Sequence, residues 1–192
     1  MTQDHPTTLC LAQHEAADRL LSEDPFALLT GMLLDQQVPM EKAFSAPYLL
    51  AERLGRPLDP ADIAELDTQA LVDLFSRPPA LHRFPASMAQ RVQALARQLV
   101  QQYGGDAAAV WRDAASGRDL LRRLQDLPGF GKQKAQIFLA LLGKQLGVRP
   151  EGWREAAGPF GDEGVYRSVA DITDAGSLQE VRQFKKQLKS AK

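Results

Sequence analysis

The sequence has very little of what metal centres and disulfide-bonded folds require. Its 192 residues include one cysteine, Cys10, and three histidines, His5, His14 and His82. A single cysteine can neither form an internal disulfide nor ligate an iron–sulfur cluster within one chain. The histidines are too far apart in sequence to suggest a metal site. We therefore expect no iron–sulfur cluster and no metal site made of cysteine or histidine, and any metal role is limited to a weakly held cation on backbone oxygens. We expect no other cofactor.

The sequence also lacks a long apolar run and a targeting signal. No run approaches the length needed to span a bilayer, although 44% of the residues are hydrophobic. The segment Met1–Pro6 has neither the basic start nor the apolar stretch of a signal peptide. We expect a cytoplasmic monomer without a membrane partner, in which residues 1–192 form one domain.

A basic surplus, common in proteins that bind nucleic acids, is missing as well. The net charge is −1 and the pI is near 6.3. The distribution of charge is more informative than the sum. No acidic residue lies between Asp73 and Asp106 or between Asp126 and Glu151, whereas both windows contain arginine or lysine. The segment after residue 181 adds five basic residues. This pattern indicates a basic face on a neutral body.

Apolar residues recur at helical spacing along most of the chain, and no strand pattern is evident, so we predict an all-α protein. The pattern predicts helices over 15–21, 25–35, 40–54 with an interruption near Pro47, 60–66, 68–75, 86–103, 117–126, 132–146 and 178–190. A short helix is expected around Val110, and another turn of helix from Glu151 to Ala157. Residues 158–164 are expected to form a glycine-rich loop.

Residues 117–146 form a helix, hairpin, helix pattern centred on Leu127-Pro128-Gly129-Phe130-Gly131. Neither glycine has a Cβ, so the backbone of the turn can approach another molecule closely. The turn leads directly into a helix N-terminus, where unpaired N–H groups and the helix dipole favour an anion. Lys132 and Lys134 add positive charge. A phosphate site is the favoured interpretation, and an ordinary tight connection between two helices is the alternative.

The order of these features resembles the helix-hairpin-helix (HhH-GPD) DNA glycosylase superfamily, which includes endonuclease III and the alkyladenine glycosylases. The resemblance begins with Leu33-Leu34-Asp35-Gln36-Gln37-Val38, continues with Phe84-Pro85, and ends with the hairpin and Ala135. It covers about residues 25–147, and residues 147–192 look divergent. It implies two helical lobes with a cleft between them, double-stranded DNA as partner, and a role in base excision repair.

The resemblance also implies roles for particular residues. The hairpin from Leu127 to Gly131, with Lys132 and Lys134, would hold a DNA phosphate, in family members often through a Na⁺ or K⁺ ion on the hairpin carbonyls. Gln36 and Gln37 would fill or probe the gap left by a nucleotide turned out of the stack. His82 would touch the opposite strand or serve only as a loop residue. Trp153 and Phe160 would line a base pocket or pack in the core.

The catalytic positions depart from the family pattern. Bifunctional members carry a lysine nucleophile at the position of Gln133, so the resemblance implies a monofunctional N-glycosylase without lyase action. Monofunctional members use a carboxylate about eighteen residues further on, which is Glu151 here. Asp171 has a more typical local sequence but needs a long insertion to reach the site, and Asp162 is a weaker candidate. Each of the three carboxylates has a structural role as its alternative.

These observations leave three hypotheses open. The first is a base-excision glycosylase that releases a damaged base without lyase action. The second is a relative that has lost catalysis and recognises damaged or branched DNA. The third is a helical protein-interaction domain that does not bind nucleic acid, which the near-neutral charge permits.

Overall fold

The computed structural model describes residues 8–192, so His5 and the segment Met1–Pro6 lie outside the described residues. Within that part of the chain, all regular structure is helical, which confirms the all-α class. The helices are α1 Glu15–Glu23, α2 Pro25–Leu34, α3 Met40–Leu54, α4 Pro60–Glu65, α5 Thr68–Ser76, α6 Pro85–Tyr103, α7 Ala109–Arg112, α8 Gly117–Gln125, α9 Lys132–Gln145, α10 Trp153–Ala156 and α11 Ala175–Ser190, with 3₁₀ turns at Gly158–Gly161 and Val169–Asp171. No helix of this region is long and apolar enough to cross a membrane.

Helix α2 is the central helix of the first half of the chain. Asp24 caps its N-terminus, where Oδ1 accepts hydrogen bonds from the N–H groups of Phe26 and Ala27 at 2.9 and 3.2 Å. Every residue from Phe26 to Leu34 is buried, so the helix is covered on all sides. At Gly31 a Cβ would lie 2.7 Å from Phe44 Cδ1, so α3 packs directly on the α2 backbone. The C-terminus of α2 is thereby fixed in the protein interior.

The helices form two packed groups. In the first group, α2 packs against α1 and α3, and α4 and α5 pack against α6. In the second, α9 packs against α8, α10 and both 3₁₀ turns. The ring of Phe138 on α9 makes edge contacts with Trp111 and Phe130, at centroid distances of 5.8 and 6.0 Å. One continuous hydrophobic core joins the two groups, and the cleft described below lies between them.

Three expectations about local structure were wrong. Helix α3 runs without interruption through Pro47, because burial of Ala46, Pro47 and Leu50 offsets the hydrogen bond that proline cannot make. Residues 158–164 include a 3₁₀ turn over Gly158–Gly161. The last helix begins before residue 178, because side chains at its N-terminus cap the turn from Ala175 onward.

Candidate nucleic-acid interface

The hairpin between α8 and α9 is anchored by two buried side chains. Leu127 is 2% exposed and Phe130 is 3% exposed. The N–H group of Phe130 donates to the carbonyl oxygen of Leu127 at 3.1 Å and closes the turn. Because these side chains face the core, only the backbone at Leu127 and Phe130 is available to a ligand. Pro128 is half-buried between them, and Gly129 and Gly131 are exposed.

The two hairpin glycines serve different purposes. Gly129 has a φ of +79°, and a Cβ there would lie 2.2 Å from Leu33 Cδ1. This glycine therefore allows the hairpin to pack on the end of α2. Gly131 has open space around it and begins α9 without a side-chain cap. The first N–H groups of α9 are thus free of side-chain capping at an exposed helix N-terminus, as an anion site requires.

Lys132 and Lys134 lie in different environments. Lys132 is exposed beside the hairpin, close to Arg118 and Glu151 in a shallow cavity. Lys134 is partly buried, and its Nζ donates a hydrogen bond of 3.0 Å to the carbonyl oxygen of Leu33. Burial lowers the pKa of Lys134 to about 8, although the charge of Asp35 acts in the opposite direction. Of the two lysines, Lys132 is therefore the one whose charge is exposed beside the hairpin.

The glutamine pair lies on a short loop between α2 and α3. Gln36 folds back, and its Nε2 donates to the carbonyl oxygen of Leu33 at 3.0 Å. Gln37 is exposed and has a φ of +58°, a left-handed conformation that is uncommon for a residue with a side chain. The loop thus presents Gln37 outward, while Gln36 secures the end of α2.

The side chain of His82 fixes the backbone of this loop from the protein interior. Its Nε2 lies 3.1 Å from the carbonyl oxygen of Leu34 and 2.9 Å from that of Gln36, and its Nδ1 accepts from the N–H of Phe84 at 3.0 Å. This pattern assigns the ring proton to Nε2. His82 is 1% exposed, and burial lowers the pKa of its imidazole. Of the two interpretations of His82, the structure therefore excludes contact with the opposite DNA strand and leaves the loop residue, since the side chain is inside the protein.

A cleft of about 630 Å³ lies between the glutamine loop and the first turn of α9. It is lined by Met32, Asp35, Gln36, Gln37, Val38, Gln133, Lys134, Ile137, Pro159, Phe160, Arg167, Phe184, Lys185 and Leu188. Half of these fourteen residues are polar or charged and the other half are apolar or aromatic, so the cleft offers both hydrogen-bonding groups and apolar surface to a ligand. The cleft brings Gln36 and Gln37 close to Lys134, which lies 97 or more residues later in the sequence. Phe160 lies in this wall, as one of the two interpretations predicted.

The carboxylates selected from sequence lie elsewhere. Asp171 is 5% exposed at its side chain, pairs with Lys144 Nζ at 2.6 Å and accepts a hydrogen bond from the N–H of Arg167 at 2.8 Å. Glu151 is exposed in a turn before α10, outside the first turn of that helix, in the cavity that also contains Lys132. Neither carboxylate lines the cleft between the glutamine loop and α9.

The other two candidates beyond residue 150 are also placed by the structure. Asp162 pairs with Arg167 Nη1 at 2.7 Å on the surface. Trp153 is buried, and its ring packs on Gly143, where a Cβ would lie 2.3 Å from Cζ3. Trp153 therefore belongs to the core and has no place in a base pocket.

Sequence reasoning missed Asp35, Phe184 and Lys185 as residues of the cleft. Asp35 could have been selected from the sequence, because it stands directly before Gln36 in the motif that carried the resemblance. Phe184 and Lys185 belong to α11, and no local pattern indicates which face of that helix turns to the cleft. Their position follows from how α11 packs.

The hairpin, the exposed start of α9 and the adjoining cleft together define a helix-hairpin-helix architecture for holding DNA. A family model described as "HhH-GPD superfamily base excision DNA repair protein" matches residues 30–192. The chain belongs to this superfamily and is a base excision DNA repair protein, for which DNA binding follows. The match continues past residue 147 to the end of the chain. No curated protein sequence matches the chain.

Proposed function

We propose that the protein is a monofunctional DNA N-glycosylase. It binds duplex DNA at the hairpin, turns a damaged nucleotide out of the stack and hydrolyses the bond between the base and deoxyribose. The observation that carries this proposal is the cleft, which joins the glutamine loop at Gln36 and Gln37 to the start of α9 at Gln133. A base inside a duplex is out of reach for chemistry, so a pocket beside a loop that can occupy the vacated space suits the task.

The hairpin supports the binding step. The exposed N–H groups at the start of α9 favour a phosphate oxygen, and Lys132 adds charge beside them. Such contacts set the position of the duplex without reading its sequence. A Na⁺ or K⁺ ion on the hairpin carbonyls fits the same proposal, because the carbonyl oxygen of Leu127 that accepts from Phe130 still has a free lone pair.

Gln37 is suited to fill the gap left by the turned-out nucleotide. It is exposed at the tip of a loop whose backbone is fixed by His82, with 2.9 Å between His82 Nε2 and the carbonyl oxygen of Gln36. A residue that enters the base stack must be held rigidly, since small misplacements are costly. The amide of Gln37 can also pair with the base that loses its partner.

The proposal that the enzyme has no lyase step is based on the side chain of Gln133. Its amide nitrogen is not nucleophilic, so it cannot form the imine that a lysine forms with the sugar. In the hydrolytic reaction, the C1′–N bond breaks and its electron pair leaves with the base, which gains a proton. The oxygen of a water molecule bonds to C1′ and loses a proton. This reaction needs no cofactor.

A second function is favoured by one observation. The three carboxylates indicated by sequence, Glu151, Asp162 and Asp171, lie outside the cleft, and Asp171 is held by Lys144 and by backbone N–H groups. A relative without turnover, which recognises damaged or branched DNA, would be compatible with this arrangement.

The binding step is tested by measuring the affinity for duplex DNA over a range of salt concentrations. Lys132→Glu should weaken binding and reduce the salt dependence by about one phosphate contact or more. Arg19→Glu is the matched control, because Arg19 is an exposed basic residue on α1 that pairs only with Glu15 among the described residues. No salt-dependent binding, or equal affinities for Lys132→Glu and the wild type, would contradict the proposal.

Turnover is tested by single-turnover assays on duplexes with alkylated, deaminated or oxidised bases. Release of a base together with an intact abasic strand supports the monofunctional glycosylase. Tight, lesion-dependent binding without release on any duplex supports the second function.

A further inference from the structure

Asp35 is the only carboxylate among the described residues that line the cleft. The other polar groups there are the amides of Gln36, Gln37 and Gln133 and basic side chains. The walls are otherwise apolar or aromatic, and they include Phe160 and Phe184. A glycosylase needs one negative charge close to C1′, where positive charge develops as the base departs. The cleft contains one residue that can supply it.

The backbone around Asp35 is fixed on both sides. It lies at the end of α2, and its own N–H donates to the carbonyl oxygen of Met32 at 3.3 Å. The preceding carbonyls are held by side chains from other elements, with Leu33 bound by Lys134 and Leu34 bound by His82. A side chain on so constrained a turn has little freedom to move away, which suits a group that must act at a defined point.

The carboxylate of Asp35 is available for a ligand. Within residues 8–192, no group donates a hydrogen bond to it, although it is partly buried. Burial raises the pKa of Asp35, while the charges of Lys185 and Lys134 lower it in part. The carboxylate is therefore more basic than an exposed aspartate, and the two lysines favour its ionised form.

We infer that Asp35 is the catalytic carboxylate of the glycosylase, in place of the residues that follow the hairpin. The inference rests on the proposed function. As the C1′–N bond breaks, the charge of Asp35 stabilises the cationic sugar. Asp35 then accepts the proton from the water whose oxygen bonds to C1′. Lys134 and Gln36 are positioning residues, because they hold the carbonyl of Leu33 and so the turn that carries Asp35.

The test measures binding to two duplexes, so the natural lesion need not be known. One duplex carries a pyrrolidine in place of one deoxyribose, which is cationic like the transition state. The other carries a neutral tetrahydrofuran at the same position. The wild type should bind the cationic duplex at least tenfold more tightly. Asp35→Asn should reduce this ratio to near one and leave the affinity for the neutral duplex within about threefold.

Glu151→Gln is the matched control, since it removes one carboxylate beside the hairpin and outside the cleft. It should leave the ratio unchanged. A thermal unfolding transition at the wild-type temperature shows that Asp35→Asn is folded, and Asp35→Ser provides a second neutral variant. On any duplex that the wild type cleaves, Asp35→Asn should slow base release at least 100-fold.

The outcomes separate the inference from the proposed function. If the ratio persists in Asp35→Asn, or is lost in Glu151→Gln, the role of Asp35 is wrong while the glycosylase stands. A wild type that binds both damaged duplexes equally, above an undamaged one, overturns the role of Asp35 and favours a binder without turnover. If neither damaged duplex is preferred to undamaged DNA, both proposals fail.

Discussion

Lys134 Nζ donates a hydrogen bond of 3.0 Å to the carbonyl oxygen of Leu33, which lies 101 residues earlier in the chain. The same carbonyl accepts from Gln36 Nε2 at 3.0 Å, and the side chain of Leu33 fits against the open face of Gly129. Leu33 therefore joins the hairpin to the glutamine loop. This contact fixes the distance between the hairpin and the cleft, at which the proposed duplex would be held.

The partial burial of Lys134 predicts a stability change at alkaline pH. Its pKa is about 8 in the folded protein and near 10.5 when exposed. Between these values the unfolded chain binds more protons, so the free energy of unfolding rises with pH. From pH 8 to 10.5 the wild type should gain about 1–3 kcal/mol relative to Lys134→Met. Lys132→Met should follow the wild type in urea titrations, and a gain that persists in Lys134→Met would contradict the assignment.

The two hairpin glycines predict effects of different size on stability. Gly129→Ala introduces a Cβ 2.2 Å from Leu33 Cδ1 at a φ of +79°, and should lower the free energy of unfolding by about 1–3 kcal/mol. Gly131→Ala meets no atom within 4 Å and has a φ of −69°. It should change stability by less than about 1 kcal/mol. Denaturant unfolding checks both values. Equal losses would show that the hairpin does not pack as described.

His82 predicts a stability change below neutral pH. Burial lowers its pKa below the ordinary value of 6.5, so protons bind first to the unfolded chain as the pH falls through 6.5. The stability contributed by the neutral ring is complete above that value and decreases below it. His82→Gln should cost about 1–3 kcal/mol at pH 7 and flatten the decrease between pH 7 and 5. An unchanged slope would contradict the neutral buried ring.

The glutamine at position 133 predicts the absence of a lyase step. Incubation with an abasic duplex and sodium borohydride should give no covalent protein–DNA product, because Gln133 occupies the position at which bifunctional relatives carry lysine. Gln133→Lys tests whether the position has the right geometry and should give some product. If the wild type is trapped, loss of that product in Lys134→Arg would identify Lys134 as the nucleophile and contradict a monofunctional enzyme.

Much of the fold could be predicted from local patterns. Asp24 before Pro25 marked the start of α2, and Gly55 marked the end of α3 with a φ of +69°. The interruption expected at Pro47 was wrong, because burial of Ala46, Pro47 and Leu50 offsets the hydrogen bond that proline cannot make. Local rules state the cost of a proline, and they do not include the packing energy that offsets it.

The candidate site was predictable in part. The hairpin and the glutamine pair were recognisable because each is a short contiguous motif. The two interpretations of His82 could not be separated from sequence, because no neighbouring residue indicates that its ring is 1% exposed beneath the glutamine loop. Asp35 belongs to the same contiguous motif as the glutamine pair, but its place in a cleft depends on residues of α9 and α11 that form the other walls.

The sequence by itself determined the helical class, the hairpin with its exposed helix start, and the glutamine at the lyase position. These features depend on residues close together in the chain, whose spacing sets helix periodicity, turn geometry and the chemistry of one side chain. Only the tertiary structure decided which groups face the cleft. It placed Asp35 there, turned Lys134 inward to Leu33, and held Asp171 against Lys144. The burial of a side chain and the charge around it depend on segments that are distant in sequence, so they are determined only when the helices pack together.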